Sequence, residues 1–439
     1  MMKTILRGEH EDLGFDCIAG HGLTLEQLLD RINYDSNRIV SGRINMLQFN
    51  VSAGKPRLGT FFRIGAEWLD DDVALVVLPK MKDIDYMSMF MTCLRSPACQ
   101  RTFSNIYNID PEAKPIESEV LDSALSPLLV VHFLNCVDRI ASRGLKKGYV
   151  SLSGNLKKVK GRLNIRKNER MNIRSGHSER VYCDYHEFSV DIPENRVLKK
   201  ALCFARAMLD GMAGHPLQPQ LCAMLNRSLA AFDGVSNEIE PWQIATVKVN
   251  KLYRGYEEAI RLAGLLLRRC GYSIRRASRA RKHVPPFCID MSLLFEHYVL
   301  ALLDQAYGDA VRYQARGYRG RFIADFLFDN GTDRAVIDTK YMPRLSDDDI
   351  DGDIVKQLGG YARSISLLRE MGLDVTETDA VPDIPCVVIF PPDTPTVTPP
   401  TNPFMGKSLS SFLDCPQKGI VRFYKVPVAI PSIKIEIIN

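Results

Sequence analysis

At 439 residues the chain is too long for a single compact core, so two or three domains are expected. Hydrophobic residues at 46% and charged residues at 25% exclude a disordered or fibrous protein. The net charge of +5 excludes little by itself, and no run reaches the ~18 uninterrupted apolar residues of a membrane-spanning helix.

The start, "MMKTILRGEHEDLG", turns charged too soon for a secretory signal. Eleven scattered cysteines without a CxxC pair read as reduced, mostly buried thiols in a cytoplasmic protein. Residues 1–110 alternate in hydrophobicity: "RINMLQFNVS", "GTFFRIGAEWL" and "DVALVVLPKM" read as strands of a β-rich N-terminal domain. "NIDPEAKPIES", 108–118, has the prolines and acids of a linker.

Residues 111–282 read as a mainly helical middle domain. Helical spacing over 119–143 closes at Gly144, and further helices are expected at "ENRVLKKALCFARAMLDGM", 217–232 and 252–270. Between them lie basic loops and one or two short strands. Residues 144–180 hold eleven Lys or Arg against two Glu, and 261–282 hold eight against no acid. Such clusters suit a polyphosphate partner through counterion release, or form solvated faces and protein contacts. Arg275, Arg276 and Arg279 are the candidate DNA-phosphate contacts. "CDYHEF" gathers Cys183, Asp184, His186 and Glu187, but supplies too few convergent ligands for a structural metal.

Residues 283–439 change rhythm. Asp290 is placed to cap a helix, "MSLLFEHYVLALLDQAY". Strands "AVRYQAR", "GRFIADFLF" and "DRAVIDTKY" follow, then a helix, "DIVKQLGGYARSISLLREMG", and a strand, "IPCVVIF". Helix, three strands, helix, strand is an α/β arrangement around a mixed sheet. The proline-rich 391–406 reads as an ordered or semi-rigid loop. Its "TNPFMGKS" has Thr401 where a P-loop needs glycine, so the chain is expected to bind no nucleotide itself.

Charged residues sit where these strands should be apolar, and they are the chemical signal. With Asn330-Gly331 at the centre of an even-length turn, Asp325 falls opposite Val336. Asp338 and Lys340 then share its face, with Asp338 its diagonal neighbour. An odd-length turn would break that parity. Two carboxylates beside a lysine make a hard-oxygen site for Mg²⁺. There Lys340 would stabilise developing charge at a phosphodiester. Glu296, in the apolar "LLFEHYV", is a third carboxylate. The expected catalytic set is Asp325, Asp338, Lys340 and Glu296; the expected metal set is Asp325, Asp338, Glu296 and Thr339.

Asp325 with Asp338-Thr339-Lys340, in this order of elements, resembles the PD-(D/E)xK nuclease family, with Ala324 replacing the usual proline. Gln357 and Tyr361 of "KQLGGY" resemble the polar DNA-contacting residues such nucleases place one helix later. The longer series "GAEWLDDDVALVVLPKM", "RGLKKGYVSLSGNLKKVKGRLNI", "VYCDYHEFSVDIPENRVLKKAL" and the nuclease motif resembles the McrC family. Its members are nuclease subunits of modification-dependent (5-methylcytosine) restriction systems.

The resemblance implies a multi-domain α+β protein with a C-terminal restriction-endonuclease-like domain and a Mg²⁺-dependent endonuclease activity. It implies an McrB-like AAA+ GTPase ring as partner, docked through residues 1–110, and double-stranded DNA carrying modified cytosine as substrate. GTP would be used by that ring, and paired copies of this chain would cut the two strands. A non-catalytic activator of the motor, or a free-standing repair or junction nuclease, is the alternative.

Overall fold

The computed structural model describes residues 3–35, 39–40, 42–52, 55–110, 113–117, 122–212, 214–239, 254–275, 283–320, 322–346, 350–380, 382–393, 401–414 and 416–432. The chain forms two compact units: Met1–Pro127 with Ala280–Asn439, and Leu128–Arg279. Among the described residues no helix is long and apolar enough to cross a membrane.

The first unit holds a five-stranded sheet in the order Lys3–Gly8, Val73–Leu78, Arg63–Trp68, Phe287–Asp290, Tyr107–Ile109. "VALVVL" is apolar along its length because five of its six residues are buried. The expected strand "GTFFRIGAEWL" is divided. Lys55–Thr60 pairs with Leu47–Ser52 as a separate hairpin, and Arg63–Trp68 joins the large sheet.

Phe287–Asp290 comes from beyond residue 282 yet runs antiparallel to both Arg63–Trp68 and Tyr107–Ile109. Gly65 permits this approach: its φ is +143°, and a Cβ there would lie 2.0 Å from the Phe287 carbonyl oxygen. The segments expected as separate N- and C-terminal domains therefore share one unit. The proline-containing 108–118 stretch is also tied down, since Ile116–Glu117 pairs with His283–Val284.

The same unit holds a second five-stranded sheet: Val311–Gly317, Phe322–Asp329, Arg334–Thr339, Cys386–Phe390, Phe423–Pro427. The first three strands are antiparallel, and the last two pairings are parallel. Asp290 caps the helix Met291–Tyr307 by accepting the Leu293 N–H at 3.0 Å. The following expected helix is broken into Gly352–Tyr361 and Ile365–Glu370, downstream of the weakly helix-forming pair Gly359-Gly360. Leu358, Leu367 and Met371 pack with Ala324, Val336 and Val388 in a fully buried core on this side of the sheet.

The second unit contains the helices Pro193–Asp210, Gln218–Ala231 and Arg254–Arg275, and most of Asp122–Arg143. Val197, Leu198, Ala201, Leu202, Ala205 and Leu209 follow helical spacing and are buried. The reading of one or two short strands is corrected here. Gly148–Leu156 and Val181–Ser189 are nine-residue strands paired along their length, with Arg162–Leu163 on the far side. Most of their side chains are exposed or half-buried, including Tyr149 and Phe188. Without one buried face, the ribbon has no clean hydrophobic alternation to announce it.

Candidate active site

The hairpin keeps the expected parity but not the expected register. Phe326 pairs with Ile337 and Leu327 with Val336, so Asp325 and Asp338 are the residues next beyond the last pair of the ladder. The turn centre is one residue later than predicted. The Asp329 and Asn330 side chains accept the N–H groups of Gly331, Thr332 and Asp333, closing a four-residue loop of 330–333. An even shift of register keeps the parity of the ladder, and beyond its last pair the Asp325 carboxylate turns to Thr339, the residue next to Asp338.

Three elements supply the carboxylates: the helix Met291–Tyr307 and the strands Phe322–Asp329 and Arg334–Thr339. Asp338 is 1% exposed near the end of its strand, whereas Asp325 and Glu296 are half-buried. Lys340 lies just beyond the same strand and forms an ion pair with Asp338. Asp325 Oδ2 accepts both the N–H and the hydroxyl of Thr339, each at 2.7 Å. Asp338 Oδ2, although paired in charge, is buried without a well-directed hydrogen bond.

The acids act on one another electrostatically. Burial, then the charge of Asp325, pushes Asp338 up to about 7 against the pull of Lys340. Burial, then Asp325, pushes Glu296 up to about 8, and Asp338 adds to the shift. Burial raises Asp325, while Lys340 and the Thr339 donors oppose it. Lys340 is raised: burial pulls it down, but Asp338 and Asp325 outweigh that pull. Asp325 and Asp338 thus share one lysine while Glu296 feels the charge of both, an excess of negative charge suited to a cation or a proton.

Gln357 and Tyr361 also reach this site. The Gln357 amide donates to the Tyr361 hydroxyl at 2.8 Å, and the charges of Asp338, Asp325 and Lys340 all act on Tyr361. Arg275 is the last residue of Arg254–Arg275, whereas Arg276 and Arg279 lie outside the described residues. In "CDYHEF", Asp184 accepts from Ser153 and Asn164.

Sequence reasoning missed Tyr313 and Gln314. The Gln314 amide reaches the Tyr313 hydroxyl at 3.0 Å and Glu296 Oε1 at 3.4 Å, and Tyr313 also hydrogen bonds Glu296. Gln314 has φ +51° and falls in line with Asp325 between two paired positions of the adjacent strand. A non-glycine residue in that conformation carries backbone strain, here beside the carboxylates. Only the register against Asp325 would have pointed to it.

A model of the family described as McrBC 5-methylcytosine restriction system component matches residues 64–353. The chain belongs to that family. The match contains Glu296, Asp325, Asp338 and Lys340, and ends before Gln357 and Tyr361. No curated protein matches this McrBC component. Among solved structures, the chain is similar to a refined half-complex from a tetradecameric assembly of Thermococcus gammatolerans McrB AAA+ hexamers with bound McrC. Identity is 16%, coverage is 98% of this chain and 95% of that chain, and the TM-score is 0.41. It is also similar to the Thermococcus gammatolerans McrBC complex, at 17% identity, with 69% and 87% of the two chains covered and a TM-score of 0.33.

Proposed function

We propose that this McrBC component is the DNA-cutting subunit of its system, a divalent-metal-dependent endodeoxyribonuclease of the PD-(D/E)xK type. The observation that carries the reading is the meeting of Glu296, Asp325, Asp338 and Lys340 at the end of one hairpin. An adaptor without chemistry has no need to keep three mutually repelling carboxylates and a lysine in one place.

The residues fit a hard cation such as Mg²⁺. All the nearby acids are oxygen donors, their pKa values are raised by burial or one another, and Asp338 Oδ2 lacks a directed hydrogen bond. Among the described residues, no three His, Cys, Asp or Glu groups already stand as a metal cluster; Lys340 supplies the counter-charge. Asp325, Asp338 and Glu296, with Thr339 between the catalytic residues, would hold the ion. It would supply Lewis-acid polarisation of a phosphodiester and a more acidic bound water. Lys340 would hold charge developing on the phosphate, and Thr339 keeps Asp325 turned toward the site.

In this reading the chain works with a ring-forming AAA+ GTPase, stimulates its GTP hydrolysis and cuts DNA carrying modified cytosine in paired copies. The family's role in 5-methylcytosine restriction supports the substrate class. Asp338→Ala and Lys340→Ala should each abolish cleavage of methylated DNA by the assembled complex in Mg²⁺, with GTPase stimulation retained. Cleavage at the wild-type rate by either variant would remove the site.

A further inference from the structure

The segment "LPKM", 77–81 with its preceding valine, follows a strand of the first sheet and is used by none of the chemistry above. Its lysine reaches the other sheet. Lys80 Nζ donates to the carbonyl of Tyr341 at 2.6 Å and lies 3.9 Å from the centre of the Tyr341 ring. The Lys80 backbone N–H donates at 2.8 Å to Glu9 Oε2, which anchors the lysine at its base.

Tyr341 is where the chain leaves the sheet. The Lys340 N–H still donates to Ile389 O at 2.9 Å, but the Met342 N–H turns back to Lys340 O at 2.7 Å. The Tyr341 carbonyl is therefore held by a side chain rather than by a ladder. The Tyr341 ring also lies against Phe295, with centroids 6.1 Å apart, and Phe295 precedes Glu296. One lysine thus grips the residue next to Lys340, and that residue packs on the neighbour of Glu296.

We infer that Lys80 is a positioning residue for Lys340 and Glu296, acting through its hydrogen bond and ring contact with Tyr341. The inference rests on the nuclease reading above. Lys80 also lines a cavity of about 670 Å³ with His10, Met81, Lys82, Met342 and Pro343. Removal of its ammonium therefore leaves space for water rather than a sealed polar vacancy, and the variant is expected to fold.

The test compares Lys80→Met with Lys80→Arg in the full complex, cutting methylated DNA in Mg²⁺, with melting curves for both. Lys80→Met should lower kcat about 10- to 100-fold, the scale of a misplaced catalytic group, with KM within about twofold. Lys80→Arg keeps a donor and a cation over the ring, and should restore kcat to within about threefold of wild type. Wild-type kcat in Lys80→Met, a loss confined to KM, or equal losses in both variants would overturn the inference. A wild-type complex that does not cut removes the nuclease reading and this inference with it. A cutting wild type beside an unimpaired Lys80→Met removes the inference alone.

Discussion

Arg63 and Asp290, 227 positions apart in the chain, form a buried ion pair with Nε 3.1 Å from Oδ2. Asp290 also caps the helix that carries Glu296. The start of that helix is thus fixed by a residue of the first sheet, and Arg63 further donates to the Asn45 carbonyl at 3.1 Å.

Arg63→Met should cost about 3–5 kcal/mol, because it leaves Asp290 buried without its partner. Denaturant unfolding of the first unit measures this. Asp290→Asn, paired with Arg63→Met, should recover part of the loss, since the uncompensated carboxylate is then gone. A double variant no more stable than Arg63→Met would show that the pair is not coupled.

Residues 1–110 should not be separable from the rest. Deleting them removes both Gly65 and Arg63, and strips every hydrogen-bonded neighbour from Phe287–Asp290. We expect that truncation to be insoluble or unfolded, in contrast to the independent domain that the linker-like 108–118 stretch predicts. Gly65→Ala is the finer probe. Its Cβ would collide with backbone, so a loss of about 3 kcal/mol or more is expected in a urea melt.

Without a divalent cation, Asp338→Asn should stabilise the protein at pH 8. Asp338 has a folded pKa of about 7 against an ordinary 3.8. A raised pKa means that its contribution is fully present below the ordinary value and is lost as pH rises through about 7. Removing the charge should therefore raise stability by on the order of 1–3 kcal/mol at pH 8 and change little near pH 4. Differential scanning calorimetry in EDTA reads this directly. Added Mg²⁺ should raise the Tm of the wild type and leave that of Asp338→Asn nearly unmoved.

In the second unit, His132 should make stability fall in acid. Burial lowers its pKa from 6.5 to about 4, although Glu258 Oε1, 3.9 Å away, favours the charged form; Arg261 and Arg139 oppose it. A depressed pKa gives stability that is present above 6.5 and lost as pH falls toward 4. His132→Leu should flatten that part of the pH profile, worth up to about 3 kcal/mol. An unchanged profile in the variant would assign the acid sensitivity to other groups.

Much of the last third of the chain was legible in the sequence. Asp290 is the expected cap, and three strands and the buried Cys386–Phe390 strand are where their patterns put them. These readings hold because capping, period-two alternation and turn chemistry are local, acting over a few residues. Even the register error arose locally, from two side chains that moved the turn centre by one residue.

What tertiary structure alone decided is long-range. No local pattern tells "FCID" that its neighbours are residues 63–66 and 107–109, nor gives Gly65 its reason to lack a side chain. Lys80 reads in sequence as an ordinary basic residue after a strand, and becomes informative only when it meets the Tyr341 carbonyl 261 residues later. Gln314 reads as one polar residue among several until register sets it in line with Asp325. The sequence by itself singled out the candidate groups for chemistry, because residue type and spacing carry acidity and charge. The contacts that tie them to the first sheet, Arg63 to Asp290 and Lys80 to Tyr341, join segments more than two hundred residues apart, which no short-range pattern encodes.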